Sequence, residues 1–328
     1  MSQLIIGASL PKIPWEEKPG NESRVIWRYS NNPIIKRNPI PSGARAFNSA
    51  VLPYNDAYVG VFRVDHNNTR PNLHLGTSSD AIKWELSDPI INWVDEKGNP
   101  KPVSYAYDPR LLQIEDTFYI MWCDDFPGPS IGLGKTKDFK TFTRLENATM
   151  PFNRNGVLFP RKINGLYAML SRPSDSGHTP FGDIVLSYSP DLTYWGKHRL
   201  VMTSSKYNWW QDTKIGAGPA PIETREGWLL FYHGVVTTCN GFVYSMGASL
   251  LDLDDPSKVI YRTRDYILTP EMDYETTGFV PNVVFPCAAL VDAPTGRIAI
   301  YYGAADTYTA IAFTQVDELM EFLRKNSD

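Results

Sequence analysis

Cysteine is scarce and odd in number. The 328 residues hold three, Cys123, Cys239 and Cys287, widely spaced and without a CxxC pair. That excludes a disulfide framework and a zinc knuckle, and predicts free thiols in a reducing compartment. No apolar run reaches membrane-spanning length without charge. The opening MSQLIIGASLPKIPWEEKPG has neither a basic n-region nor a long apolar core, so no export leader is expected. The expected location is the cytoplasm; a periplasmic one would require a leader removed from the chain. The net charge of −4 gives no general pull toward nucleic acid or anionic membrane. There is no glycine-rich phosphate loop. The five histidines, at 66, 74, 178, 198 and 233, show no ligand spacing, so no metal and no cofactor is expected.

What the chain does have is aromatic residues: 9 Trp, 18 Tyr and 15 Phe. Aromatic faces fill β-rich cores and also stack on sugar rings. A hydrophobic content of 42% against 21% charged residues is that of a folded protein, not a disordered one.

One pattern recurs: a polar or glycine opening, a short apolar run, a tight turn, then an aromatic-rich strand. It appears in 48-NSAVLPYNDAYVGVFRV-64, 108-DPRLLQIEDTFYIMWCD-124, 155-NGVLFPRKINGLYAMLSR-172, 216-GAGPAPIETREGWLLFYHG-234 and 282-NVVFPCAALVDAPTGRIAIYYG-303. The turns YNDA, IEDT, INGL, TREG and APTG read as hairpin connections. A third strand follows each copy, and a fourth element follows all but the last, so the N-terminal segment is expected to complete that sheet. Five such units, opening 47 to 66 residues apart, predict an all-β, five-bladed β-propeller spanning residues 1–328 as one domain. An N-terminal extension of about 1–24 precedes it. The one clear helical pattern is VDELMEFLRK, 316–325, suited to packing or to contact between subunits.

In a propeller the first strand of each blade lines the central channel, so residues at the block openings converge. Asp108 opens the second block. As an acid beside Tyr105 and Tyr107 it is either a turn former or a working carboxylate, and the tyrosines would desolvate it and raise its pKa, as a general acid needs. Glycoside chemistry ordinarily uses two carboxylates. Asp306, Asp65, Asp124 and Asp125 are candidates for the second, and no glutamate stands at an opening. What recurs instead is positive charge: Arg154, Arg172, Lys214 and His233. Cations facing one channel are costly without an anion, and they suit phosphate. Phosphate is itself a nucleophile and needs no general base. One acid with a basic cluster therefore fits phosphorolysis better than hydrolysis.

The segments 45-RAFNSAVL-52, 105-YAYDPRL-111, 154-RNGVLFPRKING-165, 171-SRPSDSGHTPFGDI-184, 213-TKIGAGPAPI-222, 231-FYHGV-235 and 303-GAADT-307 resemble the inverting mannoside phosphorylases of glycoside hydrolase family 130, which are five-bladed propellers. The resemblance covers roughly residues 25 to 315. It implies that Asp108 is the general acid, acting through a hydroxyl of the bound mannose. It implies phosphate binding by Arg154, Arg172, Lys214 and His233, and mannosyl binding by Asn48, Ser49, Arg63, Tyr107 and Asp306. His178 falls where the family contacts the leaving sugar. The third-block segments look most like the group cleaving β-1,4-mannosyl-N-acetylglucosamine, with mannosyl-glucose and β-1,4-mannooligosaccharides as the other acceptors. Inorganic phosphate is the implied co-substrate, and dimers or hexamers are frequent in the family. Two rivals stand beside this reading. A two-carboxylate hydrolase would use Asp306 or Asp65 as base, and a sugar-binding propeller would have no turnover.

Overall fold

Hairpins organise the chain, and their turns explain themselves. Asn55 and Asp56 have φ of 50° and 58°, and Asn164 and Gly165 have φ of 50° and 79°. These are the left-handed pairs that match the twist of two strands joined by a two-residue loop. The computed structural model describes residues 3–125, 127–177, 181–204 and 209–327.

The strands form five separate antiparallel-based sheets. Blade 1 contains Gly43–Tyr54, Ala57–His66, Pro71–Ser78 and Glu85–Ile90. Blade 2 contains Ala106–Ile114, Thr117–Asp125, Pro129–Thr136 and Phe142–Arg144, with Trp93–Val94 added in parallel at its outer edge. Blade 3 runs from Asn153–Leu158 to Gly196–Met202, and blade 4 from Lys214–Ala217 to Val259–Arg262. Blade 5 takes Val284–Asp292, Arg297–Ala304 and Tyr308–Gln315 from the C-terminal end, and its outer strand is Ile26–Arg28 from the N-terminal end. The expected closure of the last sheet by the N-terminal segment is thus present. Asn32 reinforces it, donating to Ile311 O at 2.8 Å and accepting from Ile311 N at 2.9 Å.

The core is not central. It lies in five wedges, one between each pair of neighbouring blades. Each strand turns one row of side chains toward each adjacent sheet, so nearly continuous apolar runs such as Trp228–Tyr232 are buried on both faces. The helix Val316–Lys325 buries Val316, Leu319, Met320 and Leu323 in the wedge between blades 4 and 5. Sequence periodicity did not show a second helical turn, Asp273–Thr276. It is held by the buried Glu275, which pairs with Arg28 Nε at 2.7 Å and accepts Tyr302 Oη at 2.8 Å. Among the described residues no helix is long and apolar enough to cross a membrane.

Candidate active site

The inner strands of three blades carry the same irregularity. Their pairing slips between Phe47 and Ala50, between Tyr107 and Arg110, and between Arg154 and Val157. Within those slips lie Asn48, Asp108 and Asn155, with φ of 50°, 52° and 54°. A bulge re-aims the extra side chain, and Asn and Asp tolerate the left-handed backbone best among residues that carry a functional group. Three polar side chains are thereby turned into one end of the channel. Glycine makes room at two points. A Cβ on Gly303 would lie 1.8 Å from Asn48 Oδ1, and one on Gly216 would lie 2.5 Å from His233 Cε1.

The cavity at that end is about 370 Å³ and is lined by Asn48, Arg63, Tyr107, Asp108, Arg154, Asn155, Arg172, Lys214 and Asp306 among others. A larger hollow of about 730 Å³ lies at the opposite mouth beneath residues Ile5–Lys12. Its walls are mainly aliphatic, and its Arg161 and Glu223 are paired with each other at 2.6 Å. The smaller cavity, with its titratable lining, is therefore the candidate for the chemistry.

One wall is carboxylate-rich. Asp108 Oδ1 accepts from Asn48 Nδ2 at 2.8 Å and from Arg63 Nη1 at 2.9 Å. The Arg63 guanidinium lies over Phe47 at 4.2 Å and Tyr107 at 5.2 Å. Burial opposes the charge on Arg63, but Asp108, Asp65 and Asp306 outweigh it and raise its pKa. Asp306, at φ 45°, is pushed up to about 7 by burial, against the pull of Arg63. Arg110, the arginine of the DPR triplet, is buried. Its Nε donates to Gly218 O at 2.6 Å across the channel, and its Nη1 to Asp108 O at 3.2 Å, so it ties blade 2 to blade 4 under the acid.

The facing wall is cationic. Arg154 donates to Tyr107 Oη at 3.1 Å, to Asp175 O at 2.8 Å and to Ser174 Oγ. Arg172 Nη1 lies 3.0 Å from His233 Nε2. A guanidinium only donates, so His233 accepts there and is neutral. Burial, reinforced by Arg172, Arg110 and Lys214, holds the imidazole well below its usual pKa. Burial also lowers Arg172. Lys214 Nζ stands 4.3 Å from the Phe242 ring and 5.6 Å from that of Tyr244. Burial first, then Arg172 and Arg154, lower Lys214 to about 7. Neither Arg172 nor Lys214 forms an ion pair among the described residues. Cations so placed lower one another's charge affinity, and a bound anion reverses that.

Eight of the eleven expected residues, Asn48, Arg63, Tyr107, Asp108, Arg154, Arg172, Lys214 and Asp306, line this cavity, and of the others Ser49 and His233 do not. Ser49 is buried behind the cavity, its hydroxyl 3.4 Å from Thr309 Oγ1. His233 supports Arg172 from behind, its ring 4.4 Å from Phe285. His178 lies outside the described residues. Asp124 is paired with Arg144 Nη2 at 2.7 Å, and the exposed Asp125 accepts Gly128 N at 3.0 Å; neither lines the cavity. Asp65 is buried and bound by arginines. His66 and His74 touch, Nε2 to Nε2 at 2.8 Å, as a hydrogen-bonded pair. No group of three or more metal-ligating side chains occurs among the described residues. Sequence reasoning gave no role to Asn155, Phe242, Tyr244 or Phe279, all of which line the cavity. The position of Asn155, matching Asn48 and Asp108, was the one usable signal.

The family model described as beta-1,4-mannooligosaccharide phosphorylase matches residues 9–325. The chain is 54% identical, over 99% of both chains, to a Ruminococcus albus protein named beta-1,4-mannooligosaccharide phosphorylase. It is 28% identical, over 91% of its length and 80% of the other, to a Bacteroides fragilis 4-O-beta-D-mannosyl-D-glucose phosphorylase. Among solved structures it resembles Listeria innocua beta-1,2-mannobiose phosphorylase in complex with beta-1,2-mannobiose, at a TM-score of 0.81 and 28% identity over 92% of this chain and 99% of that one. The five-bladed chain belongs to glycoside hydrolase family 130 and is a mannoside phosphorylase.

Proposed function

We propose that the enzyme cleaves the terminal unit of β-1,4-linked mannooligosaccharides by inverting phosphorolysis. The observation that supports it is the division of the cavity: Asp108, held by Asn48 and Arg63, and Asp306 line it together with Arg172 and Lys214, which have no carboxylate partner among the described residues. Phosphate bound by Arg154, Arg172 and Lys214, with His233 fixing Arg172, attacks C1 of the mannosyl unit from the α face. The C1–O bond to the rest of the chain breaks, the new C1–O bond to phosphorus forms, and Asp108 supplies the proton that reaches the departing oxygen. The products are α-mannose 1-phosphate and a shortened sugar. The transition state carries positive charge at C1, so binding groups that tighten as it forms raise the rate.

The 54% identity to the Ruminococcus albus protein favours a mannooligosaccharide acceptor. The third-block segments favour N-acetylglucosamine, and that acceptor is the second reading. Turnover of β-1,4-mannobiose, β-1,4-mannotriose and β-1,4-mannosyl-N-acetylglucosamine, compared at saturating phosphate, separates them. The first reading expects higher kcat/KM on the two mannooligosaccharides; preference for the N-acetylglucosamine disaccharide overturns it.

A further inference from the structure

Asp65 is buried at 2% exposure and sits between two arginines. Its Oδ1 accepts Arg63 Nε at 2.9 Å, while Oδ2 accepts Arg63 Nη2 and Arg45 Nη2, both at 3.4 Å. Arg45 is itself held, its guanidinium 3.9 Å from the ring of Phe279 on the cavity wall. The planar guanidinium of Arg63 therefore has two corners taken by Asp65, and its remaining Nη1 is presented to Asp108 at 2.9 Å. We propose that Asp65 is a positioning residue of this enzyme: it sets the plane of Arg63 and, through it, the orientation of the Asp108 carboxyl toward the sugar. The proposal rests on Asp108 being the acid.

The same geometry removes Asp65 from the chemistry itself. Its oxygens are committed to arginines, and it does not line the cavity. Without its charge, Asp108 and Asp306 are the anionic neighbours left to Arg63 among the described residues. Its fork would then turn onto Asp108 and take both carboxylate oxygens, including the one that must face substrate. Asp65→Asn is nearly isosteric and keeps an acceptor for Nε. It sets an amide NH₂ against Arg63 Nη2 and Arg45 Nη2.

The test measures kcat, mannoside KM and phosphate KM for wild type, Asp65→Asn, Arg63→Met and the double variant. Displacement of a catalytic group by about 1 Å costs on the order of 10²-fold, and a loss of that size in mannoside kcat/KM is expected for Asp65→Asn, with mannoside KM raised and phosphate KM unchanged. In the Arg63→Met background Asp65→Asn should add nothing. A merely structural role would lower the active fraction, reducing kcat in both backgrounds and moving neither KM. Unchanged kinetics in Asp65→Asn, an equal loss in the Arg63→Met background, or a phosphate KM that rises in step each overturn the proposal. Retained turnover in Asp108→Asn would instead defeat the reading on which it rests.

Discussion

Arg172 donates to the neutral imidazole of His233 at 3.0 Å, so this cation of the cavity wall is anchored by a group that adds no charge. A carboxylate in that place would have neutralised Arg172 and weakened its hold on an anion. The neutral partner fixes the guanidinium and leaves its charge for the ligand.

Lys214 should make anion binding pH-dependent. Its pKa of about 7 in the free enzyme lies below the ordinary lysine value, so the protonated, anion-binding form is lost as pH rises through 7. Sulfate stays a dianion throughout this range, whereas phosphate changes charge, and is the cleaner probe. Its inhibition constant against phosphate should be flat below pH 7 and rise above it, and should stay flat throughout in Lys214→Arg. A pH-independent constant in the wild type would exclude Lys214 from the site.

The same lysine should cost stability. A base whose folded pKa is depressed destabilises the fold below that pKa, and the cost fades as pH climbs toward the unfolded value. At pH 6 without anion, Lys214→Met should melt higher than wild type by about 1–2 °C, the shift expected from roughly 1 kcal/mol in a chain of this length. It should also lose the upward shift that phosphate gives the wild type. Melting scans with and without phosphate decide this.

Gly303 should be intolerant of a methyl group. A Cβ there would lie 1.8 Å from Asn48 Oδ1, so Gly303→Ala must displace the side chain that donates to Asp108. Activity should fall by about 10-fold or more, since small misplacements at a reacting group are costly. Wild-type turnover in Gly303→Ala would show that Asn48 does not hold the acid.

Much of this architecture could be read before any coordinates. The blades were legible because Asn55-Asp56 and Asn164-Gly165 announce two-residue turns, and because the paired strands repeat around them. Asp108 was legible as an opening residue. The tyrosines beside it were expected to set its character, yet its hydrogen-bond partners are Asn48 and Arg63, and Tyr107 instead holds Arg154. That could not be read, because a one-residue bulge reverses which side chains share a face. Phe279 and Tyr244 were missed for another reason. They enter from a loop and from a third strand, and they meet the channel only once the ring of blades is closed. Ser49 sits one residue along from Asn48, and the same bulge turns it away toward Thr309.

Asp108→Asn should lower kcat by about 10²- to 10⁴-fold in both directions of the reaction, the range of a lost general acid. The exchange is nearly isosteric and keeps a side-chain oxygen to accept from Asn48 and Arg63, so the variant should still melt cooperatively as a folded protein. Retained turnover would remove Asp108 from the mechanism.

The central claim is that an anion takes the place of a second carboxylate. The direct measurement incubates the wild-type enzyme with β-1,4-mannobiose, with and without inorganic phosphate, and follows the products by phosphorus NMR and by assay of free mannose. The account predicts α-mannose 1-phosphate and mannose in equal amounts with phosphate, and no cleavage without it. Mannose released at the same rate in the absence of phosphate would contradict it, and would point to Asp306, the other carboxylate lining the cavity among the described residues, as a base.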